Sequence, residues 1–323
     1  MKKILCLMTV LVLLAVTACA PTVGTSENTN TVVFCSGSIN YPRHQMILLG
    51  FQEGAKAAGV TAAVAGADEG SAQELMEMYK IAMTEHKAGG AVVLTGDDTY
   101  YQMMREWSAD GVKIAVPHYP HEQVDTESFI GANVVGDNKK RGYLAADTMV
   151  ALLREKGITS GTIGVFATGA SVPYLSNGYF CERMKEIAPE YALADPMFMG
   201  LSLEANIVRA ESVVQNYPDL VSMYVDNSSV GGQAIVQAAE NAGREDLVLI
   251  ACDETKENLE LLEQGKLDAL MVNDLYQVGY LCAQNLAKLM AGEEVEWYTE
   301  IEEKVLTRES DLTYYKEIWN RIR

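Results

Sequence analysis

The chain has 323 residues, of which 49% are hydrophobic, and it carries a formal net charge of −19 at pH 7. A surface this acidic is a poor partner for nucleic acid and for anionic lipid. The length also exceeds one ordinary hydrophobic core, so the sequence predicts two domains of usual size.

The first element in chain order is an apolar leader. Lys2 and Lys3 precede an apolar stretch from Ile4 to Val16, which is short for a membrane span and runs directly into small residues. A basic start, a short apolar run and small residues are typical of a secretory signal. The pattern predicts that residues 1–18 are a signal peptide.

The end of this leader contains a cysteine directly after small residues. The run Leu14-Ala15-Val16-Thr17-Ala18-Cys19 resembles the lipobox of bacterial lipoproteins, in which the cysteine becomes lipidated and N-terminal. The resemblance implies that Cys19 carries a lipid anchor, while the alternative is an ordinary cleaved signal with an incidental cysteine. Residues 19–30 are small and polar, as expected of a tether.

Four cysteines remain after residue 30: Cys35, Cys181, Cys252 and Cys282. None has the paired spacing of a zinc knuckle or a redox CxxC motif, so we interpret them as buried free thiols. No other motif implies a cofactor, and the sequence predicts none.

From residue 31 the chain alternates short apolar runs with stretches of helical period. The first half predicts strands at Thr31–Cys35, Thr61–Ala65, Ala91–Thr95 and Lys113–Val116, and helices at Arg43–Ala58, Ser71–His86 and Thr99–Ala109. The second half predicts strands at Thr162–Phe166, Pro196–Met199, Leu220–Val225, Val248–Cys252 and Ala269–Val272. It predicts helices near Pro173–Ile187, Leu203–Asn216, Gly231–Ala242, Lys256–Glu263 and Gln277–Met290. Strands separated by helices indicate parallel sheets with helices on both faces, hence two α/β lobes.

Polar residues follow three of the second-half strands. Asp253 follows the run Leu247–Cys252, Asn227 follows "MYVD", and Asn273 follows "DALMV". One such residue alone is usually a helix cap or turn former. Three from neighbouring strand ends predict a binding site for a polyhydroxylated ligand, because parallel sheets place ligands there and amides and carboxylates match hydroxyl groups.

At these residues the chain resembles the ribose/galactose-type periplasmic binding proteins, the type I solute-binding family of ABC transporters. The resemblance extends from about Thr31 to Leu312. It is carried by GFQEGAKAAGV (50–60), AGGAVVLTGDD (88–98), DLVLIACDET (246–255), EQGKLDALMVNDLYQVGYLCAQNL (263–286) and EKVLTRESDL (303–312).

The resemblance implies a fold of two doubly wound parallel-sheet lobes joined by a three-strand hinge. The matching crossovers fall near Gly136-Asp137, Asn273-Asp274 and Glu302-Glu303. The implied N-terminal lobe comprises residues 31–136 plus 274–302, and the C-terminal lobe comprises residues 137–273 plus 303–323. It also implies hinge closure over a bound ligand.

Carried over by position, the resemblance implies that Asn227, Asp253 and Asn273 contact sugar hydroxyls, and that Tyr174 lies near a position where the family often has arginine. The first lobe departs from the family. Arg43 and His44 stand where aromatic rings usually stack on the sugar, although Tyr41 is near enough to restore a stacking surface.

A second departure follows the fourth strand, where Pro117-His118-Tyr119-Pro120-His121 replaces an Asp-Arg pair. Arg43, His44, His118 and His121 therefore either line the cleft, which would suit an anionic sugar, or lie in solvent as loop residues. The histidines are also candidate ligands of a transition metal, but their spacing arises easily by chance, and the sequence predicts no metal site.

No catalytic motif is present: ATGAS (167–171) is not a nucleophile elbow, and GTIG (161–164) is not a dinucleotide fingerprint. We therefore predict a non-enzymatic, monomeric, lipid-anchored receptor on the extracytoplasmic face of a bacterial membrane. Its predicted partners are a sugar or related polyol, an ABC permease and the membrane, with no nucleic acid. The alternative is a tethered sensor that passes its closed form to a chemoreceptor or histidine kinase.

Overall fold

A computed structural model describes residues 29–68, 70–94, 98–117, 129–167, 175–226 and 230–322 of the chain. Within these ranges the chain forms two sheets, each with helices on both faces.

The first sheet has six strands in the order β2-β1-β3-β4-β5-β12, and all neighbouring pairs are parallel. Its strands are β1 Thr29–Ser36, β2 Thr61–Gly66, β3 Ala88–Leu94, β4 Lys113–Pro117, β5 Ala132–Gly136 and β12 Tyr298–Ile301. The helices packed on it are α1 Pro42–Ala57, α2 Ala72–Glu85, α3 Tyr101–Ala109 and α9 Leu275–Met290.

The second sheet has the order β13-β11-β10-β9-β6-β7, with β8 also paired to β6. Its strands are β6 Gly161–Ala167, β7 Tyr191–Leu193, β8 Met197–Phe198, β9 Leu220–Val225, β10 Val248–Cys252, β11 Ala269–Val272 and β13 Lys304–Leu306. The remaining helices are α4 Asn138–Glu155, α5 Ser176–Ile187, α6 Leu203–Asn216, α7 Gly231–Asn241, α8 Lys256–Glu263 and α10 Thr313–Trp319.

Successive side chains of β1 show that the first sheet is buried on both faces. Val32 and Phe34 point into one apolar core, Val33 and Cys35 into the other, and all four are fully buried. A strand covered on both sides reads as a continuous apolar run, as the sequence of β1 does.

The prediction of two doubly wound α/β lobes is confirmed, with differences in single elements. The structure adds β5, α4 and β7, which the pattern did not predict, and shortens the strand predicted at Pro196–Met199 to two residues. Strand β13 runs antiparallel to β11, so the second sheet is mixed at one edge.

Helices α1 and α9 lie unusually close together because glycines face each other across the contact. A Cβ atom on Gly279 would stand 1.8 Å from the carbonyl oxygen of Ile47, and one on Gly50 would stand 1.9 Å from that of Tyr276. Only a residue without a side chain permits this approach, so these glycines fix the distance between the two helices.

The chain passes between the two sheets three times. It leaves the first sheet after Gly136, returns to it after Val272, and leaves it again after Ile301. Helix α10 then lies against both lobes, because Tyr315 packs into a core of the second lobe and Ile318 into a core of the first. These segments bring the carboxyl ends of both sets of strands to face each other.

Across the ranges that the structure describes, no helix combines the length and the apolar character needed to cross a membrane.

Candidate functional site

The carboxyl ends of β9, β10 and β11 meet at the edge of the second lobe that faces the first. Asp253 and Asn273 follow β10 and β11, and each is only 1% exposed. The backbone N–H of Asp253 donates to the carbonyl oxygen of Met271 at 3.0 Å, which places the two strand ends side by side.

A local turn aims the Asp253 side chain. Its φ of 68° is left-handed, a conformation that aspartate tolerates better than most residues but that still costs free energy. Asn258, in α8, donates from Nδ2 to the carbonyl oxygens of Cys252 and Asp253, both at 3.0 Å. These two hydrogen bonds therefore hold the turn in place.

The first lobe reaches this carboxylate with an arginine. Arg43, in the first turn of α1, donates from Nη1 to Oδ1 of Asp253 at 2.7 Å, and both side chains are buried. Arg43 thus lies between the lobes and not in solvent. The ion pair spans the cleft and explains how a carboxylate can be buried at the end of an apolar strand.

His44, the next residue, does not supply a second cation. Its Nδ1 lies 2.9 Å from the hydroxyl of Ser36, and burial, with a smaller contribution from the charge of Arg43, lowers its pKa to about 4. The imidazole is therefore neutral at pH 7. The ring of Tyr41 meets it edge-on at 5.7 Å, directly before α1.

A second buried ion pair lies at the hinge. Arg141, in the first turn of α4, donates from Nε and Nη2 to the two carboxylate oxygens of Glu303, at 2.8 Å and 3.0 Å. A Cβ atom on Gly136 would stand 2.0 Å from Oε1 of Glu303 and 2.4 Å from Nδ2 of Asn273. Gly136, Asn273 and Glu303 each stand at one of the three crossovers, so the three crossovers meet in one polar cluster.

At the end of β9 the buried residue is Asp226, whereas the sequence pattern predicted its neighbour Asn227 as the ligand contact. Its Oδ2 accepts from the backbone N–H of Asn177, at the start of α5, at 3.1 Å. Burial raises the pKa of Asp226, against the opposing effects of Ser176 and Arg141. The signal that would have found it is its place directly after an apolar strand, one residue earlier than the residue chosen.

Glu254 ties the two lobes together beneath the cleft. Its Oε1 accepts from the backbone N–H of Leu275 at 2.6 Å, where α9 begins, and burial raises its pKa to about 7. Its carbonyl oxygen accepts from Nε1 of Trp319 in α10 at 2.8 Å. This residue thus links the second lobe to the start of a first-lobe helix.

Several buried side-chain atoms lack a hydrogen-bond partner. Among the described residues they are Asn177 Oδ1, Ser222 Oγ, Asp226 Oδ1, Asp253 Oδ2, Glu254 Oε2, Asn258 Oδ1, and both Nδ2 and Oδ1 of Asn273. Four of these residues stand at or beside the strand ends that face the first lobe, and we call Asn177, Asp226, Asp253 and Asn273 the cleft floor. Buried polar groups without partners are costly, so their concentration here makes the cleft floor the candidate ligand site.

Other predicted site residues lie outside the described ranges: Asn227, Tyr174, His118 and His121, together with the predicted lipidation site Cys19. No group of three or more histidine, cysteine or acidic residues within the described ranges is arranged to hold a metal ion.

A family model described as a periplasmic binding protein domain matches residues 32–294 of the chain. No curated protein matches the sequence.

Solved structures with the same fold have low sequence identity to the chain. A sugar-binding protein of a sugar ABC transporter from Bacillus halodurans has 18% identity and a TM-score of 0.77, and the match covers 88% of this chain and 99% of that one. A carbohydrate transporter solute binding protein from Agrobacterium radiobacter, in complex with D-arabinose, has 17% identity and a TM-score of 0.77, covering 92% and 100%. A XylFII-LytSN complex matches with 16% identity and a TM-score of 0.74, covering 87% and 98%.

Proposed function

Because the chain belongs to the periplasmic binding protein domain family, we propose that it is the substrate-binding lipoprotein of an ABC transporter and captures a sugar or sugar-like polyol between its lobes. The observation that carries the proposal is the cleft floor, where buried carboxylate and amide groups keep unpartnered atoms and where Arg43 from the opposite lobe contacts Asp253. Members of this family bind substrates and do not transform them.

The proposed lobes comprise residues 31–136 plus 274–302 and residues 137–273 plus 303–323. Capture is reversible: open lobes admit the ligand, polar groups from both lobes bond to it, and closure is favoured by the higher affinity of the closed state. The closed form is the one presented to the permease. A lipid on Cys19 and the tether at residues 19–30 would hold the receptor at the extracytoplasmic face of the membrane.

Within this mechanism Asp253 accepts from ligand hydroxyls through Oδ2, while Asn273 both donates and accepts. Their unpartnered atoms support these roles. Arg43 has a second role, since it holds Asp253 in place and contributes a first-lobe group to the same contact. We also propose Tyr41 as a stacking or donating group, His44 as a neutral hydrogen-bonding group, and Asn227, Tyr174 and His118 as ligand contacts from neighbouring loops.

A thermal-shift screen of neutral, acidic, amino and phosphorylated sugars tests the proposal, because a ligand that binds only the folded state raises the melting temperature. Hits are then measured by calorimetry. Lobe closure is followed by the distance between spin labels at Gln52→Cys in α1 and Gln237→Cys in α7, in a Cys181→Ser background. We expect the distance distribution to shift on sugar addition. A protein that no sugar stabilises would contradict the proposal.

A second candidate is a tethered sensor that presents its closed form to a signalling protein. The observation that favours it is the fold match to a XylFII-LytSN complex, in which a protein of this fold is solved with a second protein. Both candidates use the same cleft. Co-purification of the sugar-loaded lipoprotein from membranes, with either a permease or a receptor ectodomain, separates them.

A further inference from the structure

The unpartnered atoms of the cleft floor are mostly hydrogen-bond acceptors. Asn177 Oδ1, Asp226 Oδ1, Asp253 Oδ2 and Asn273 Oδ1 are acceptors, whereas Nδ2 of Asn273 is a donor. Within the described residues, the cleft floor therefore offers four acceptors for one donor. A ligand that satisfies it must donate more hydrogen bonds than it accepts.

The arginines beside the cleft floor are already paired. Arg43 is bound to Asp253 at 2.7 Å, and Arg141 is bound through two nitrogens to Glu303. His44 is neutral at pH 7 because burial lowers its pKa to about 4. None of these three groups offers an unopposed positive charge to an anionic ligand.

Asp226 is the carboxylate of the cleft floor that forms no ion pair within the described residues. It is 3% exposed, its Oδ2 receives the backbone N–H of Asn177, and its Oδ1 has no partner. Arg141 acts on it through space but is held by Glu303, and the charge of Asp253 opposes its ionisation. A buried carboxylate of this kind is stabilised by a positive group that also donates hydrogen bonds.

We propose that the ligand is an amino-bearing polyol, whose protonated amine binds at Asp226 beside Asn177 and Asp253, while its hydroxyls bond to Asn273. A protonated amine donates three hydrogen bonds and accepts none, which fits the acceptors on this side of the cleft floor. A sugar acid or sugar phosphate would bring further acceptors and negative charge toward Asp226 and Asp253, and is disfavoured. This inference rests on the proposed function, since it specifies the ligand class of the same cleft.

The experiment compares matched triads by thermal shift and calorimetry: glucose, galactose and mannose, their 2-amino derivatives, and their uronic acids. We expect the amine to be the tightest binder in at least one triad, by tenfold or more over its neutral parent, with the acid weakest. If neutral or acidic members bind as well as the amines, or if no amine binds while another sugar does, the inference fails and the proposed function stands. If no sugar of any class binds, both fail.

Asp226→Asn assigns the effect to its residue. The asparagine retains an oxygen to accept from the backbone of Asn177 but loses the charge. We expect the amine to lose at least tenfold in affinity, and its neutral parent to change by less than threefold. Asp246→Asn, the same change at an exposed ion pair with Arg244 at 2.8 Å, is the matched control and should leave both affinities unchanged. Equal losses for amine and parent would contradict the assignment, and the melting temperature of each variant reports folding.

The pH profile gives an independent measure. Asp226 faces Arg141 from α4, Asp253 from the end of β10, and Ser176 and Asn177 from α5, and its pKa is raised by burial. Binding of a cation requires the ionised carboxylate, so amine affinity should rise as pH increases through that pKa, and the rise should be absent in Asp226→Asn. An amine affinity with the same pH profile in both proteins would overturn the proposal.

Discussion

The contact between α1 and α9 and the cleft floor are both buried, but they are built in opposite ways. Between the helices, glycines let the two backbones approach until a single added carbon would collide with a carbonyl oxygen. At the cleft floor, carboxylates and amides are enclosed with atoms that have no partner. The first region gains stability from close packing, whereas the second retains groups that cost stability.

The comparison separates buried residues that stabilise the fold from buried residues that we propose bind the ligand. Unpartnered polar atoms are rare in folded proteins, and five of the eight found in the described residues belong to the cleft floor. Substitutions in the two regions should therefore separate stability from binding, and removing the unpartnered atoms of Asn273 should change the two with opposite sign.

The largest expected effect comes from breaking the hinge ion pair. Arg141→Met leaves Glu303 buried without its partner, and we expect a loss of about 3–5 kcal/mol in unfolding free energy, measured by urea denaturation. The double variant Arg141→Met/Glu303→Leu should recover part of this loss. Lys266→Met removes an exposed partner of Glu240 and should cost about 1 kcal/mol or less. Equal losses of unfolding free energy in Arg141→Met and Lys266→Met would show that the buried hinge pair matters no more to stability than an exposed pair.

The next effect depends on pH. Burial raises the pKa of Glu254 to about 7 from 4.5, so the folded state holds this proton more tightly than the unfolded state. Its contribution to stability is complete below about pH 4.5 and is lost as the pH rises through about 7, a change of about 3 kcal/mol. Glu254→Gln keeps an acceptor for Leu275 and should remove this slope, so that the variant gains on the wild type as pH increases. If the unfolding free energy of Glu254→Gln falls relative to that of the wild type between pH 4.5 and 8, this assignment is contradicted.

A methyl group in the helix contact should cost about 1–3 kcal/mol. Gly279→Ala places a Cβ atom against the carbonyl oxygen of Ile47, and the helices must separate to accept it. Gln52→Ala, on the exposed side of α1, should change the unfolding free energy by about 0.5 kcal/mol or less. Sugar affinity should be retained in Gly279→Ala at temperatures where it is folded. A variant as stable as the wild type would mean that the helices are less closely packed than described.

The smallest effect that we expect on binding free energy comes from Asp253→Ala. Asp253→Ala removes an acceptor of the ligand and leaves Arg43 without its partner, and we expect the binding free energy to weaken by about 1–3 kcal/mol in calorimetry. Asp246→Ala, far from the strand ends, provides the control. Unchanged affinity in Asp253→Ala would remove Asp253 from the site.

The sequence predicted most of the scaffold because its strands are short apolar runs and its helices have clear periods. Patterning did not reveal β5 and α4, and the resemblance implied only the crossover at Gly136-Asp137 that lies between them. The resemblance implied a closing strand within residues 303–312, where β13 lies, but not its antiparallel pairing, since pairing direction depends on how the chain crosses the hinge and leaves no local signal.

For the site, the pattern of polar residues after apolar strands predicted Asp253 and Asn273, which lie at neighbouring strand ends in the structure. It did not reveal that Arg43 pairs with Asp253, because the two are 210 residues apart and meet only when the lobes do. Nor did it reveal the ion pair of Arg141 with Glu303 or the lowered pKa of His44. Both depend on burial and on residues distant in sequence, for which the local sequence gives no signal.

The central claim is that the cleft floor keeps unpartnered polar atoms for a ligand, and Asn273→Leu tests it most directly. Leucine replaces the two unpartnered polar atoms by methyl groups on a skeleton with the same number of heavy atoms, so the melting temperature of the free protein should hold or rise while calorimetric sugar affinity falls at least tenfold. Ser222→Ala removes an unpartnered hydroxyl inside β9, away from the strand ends, and should leave affinity unchanged. Wild-type affinity in Asn273→Leu would contradict the account.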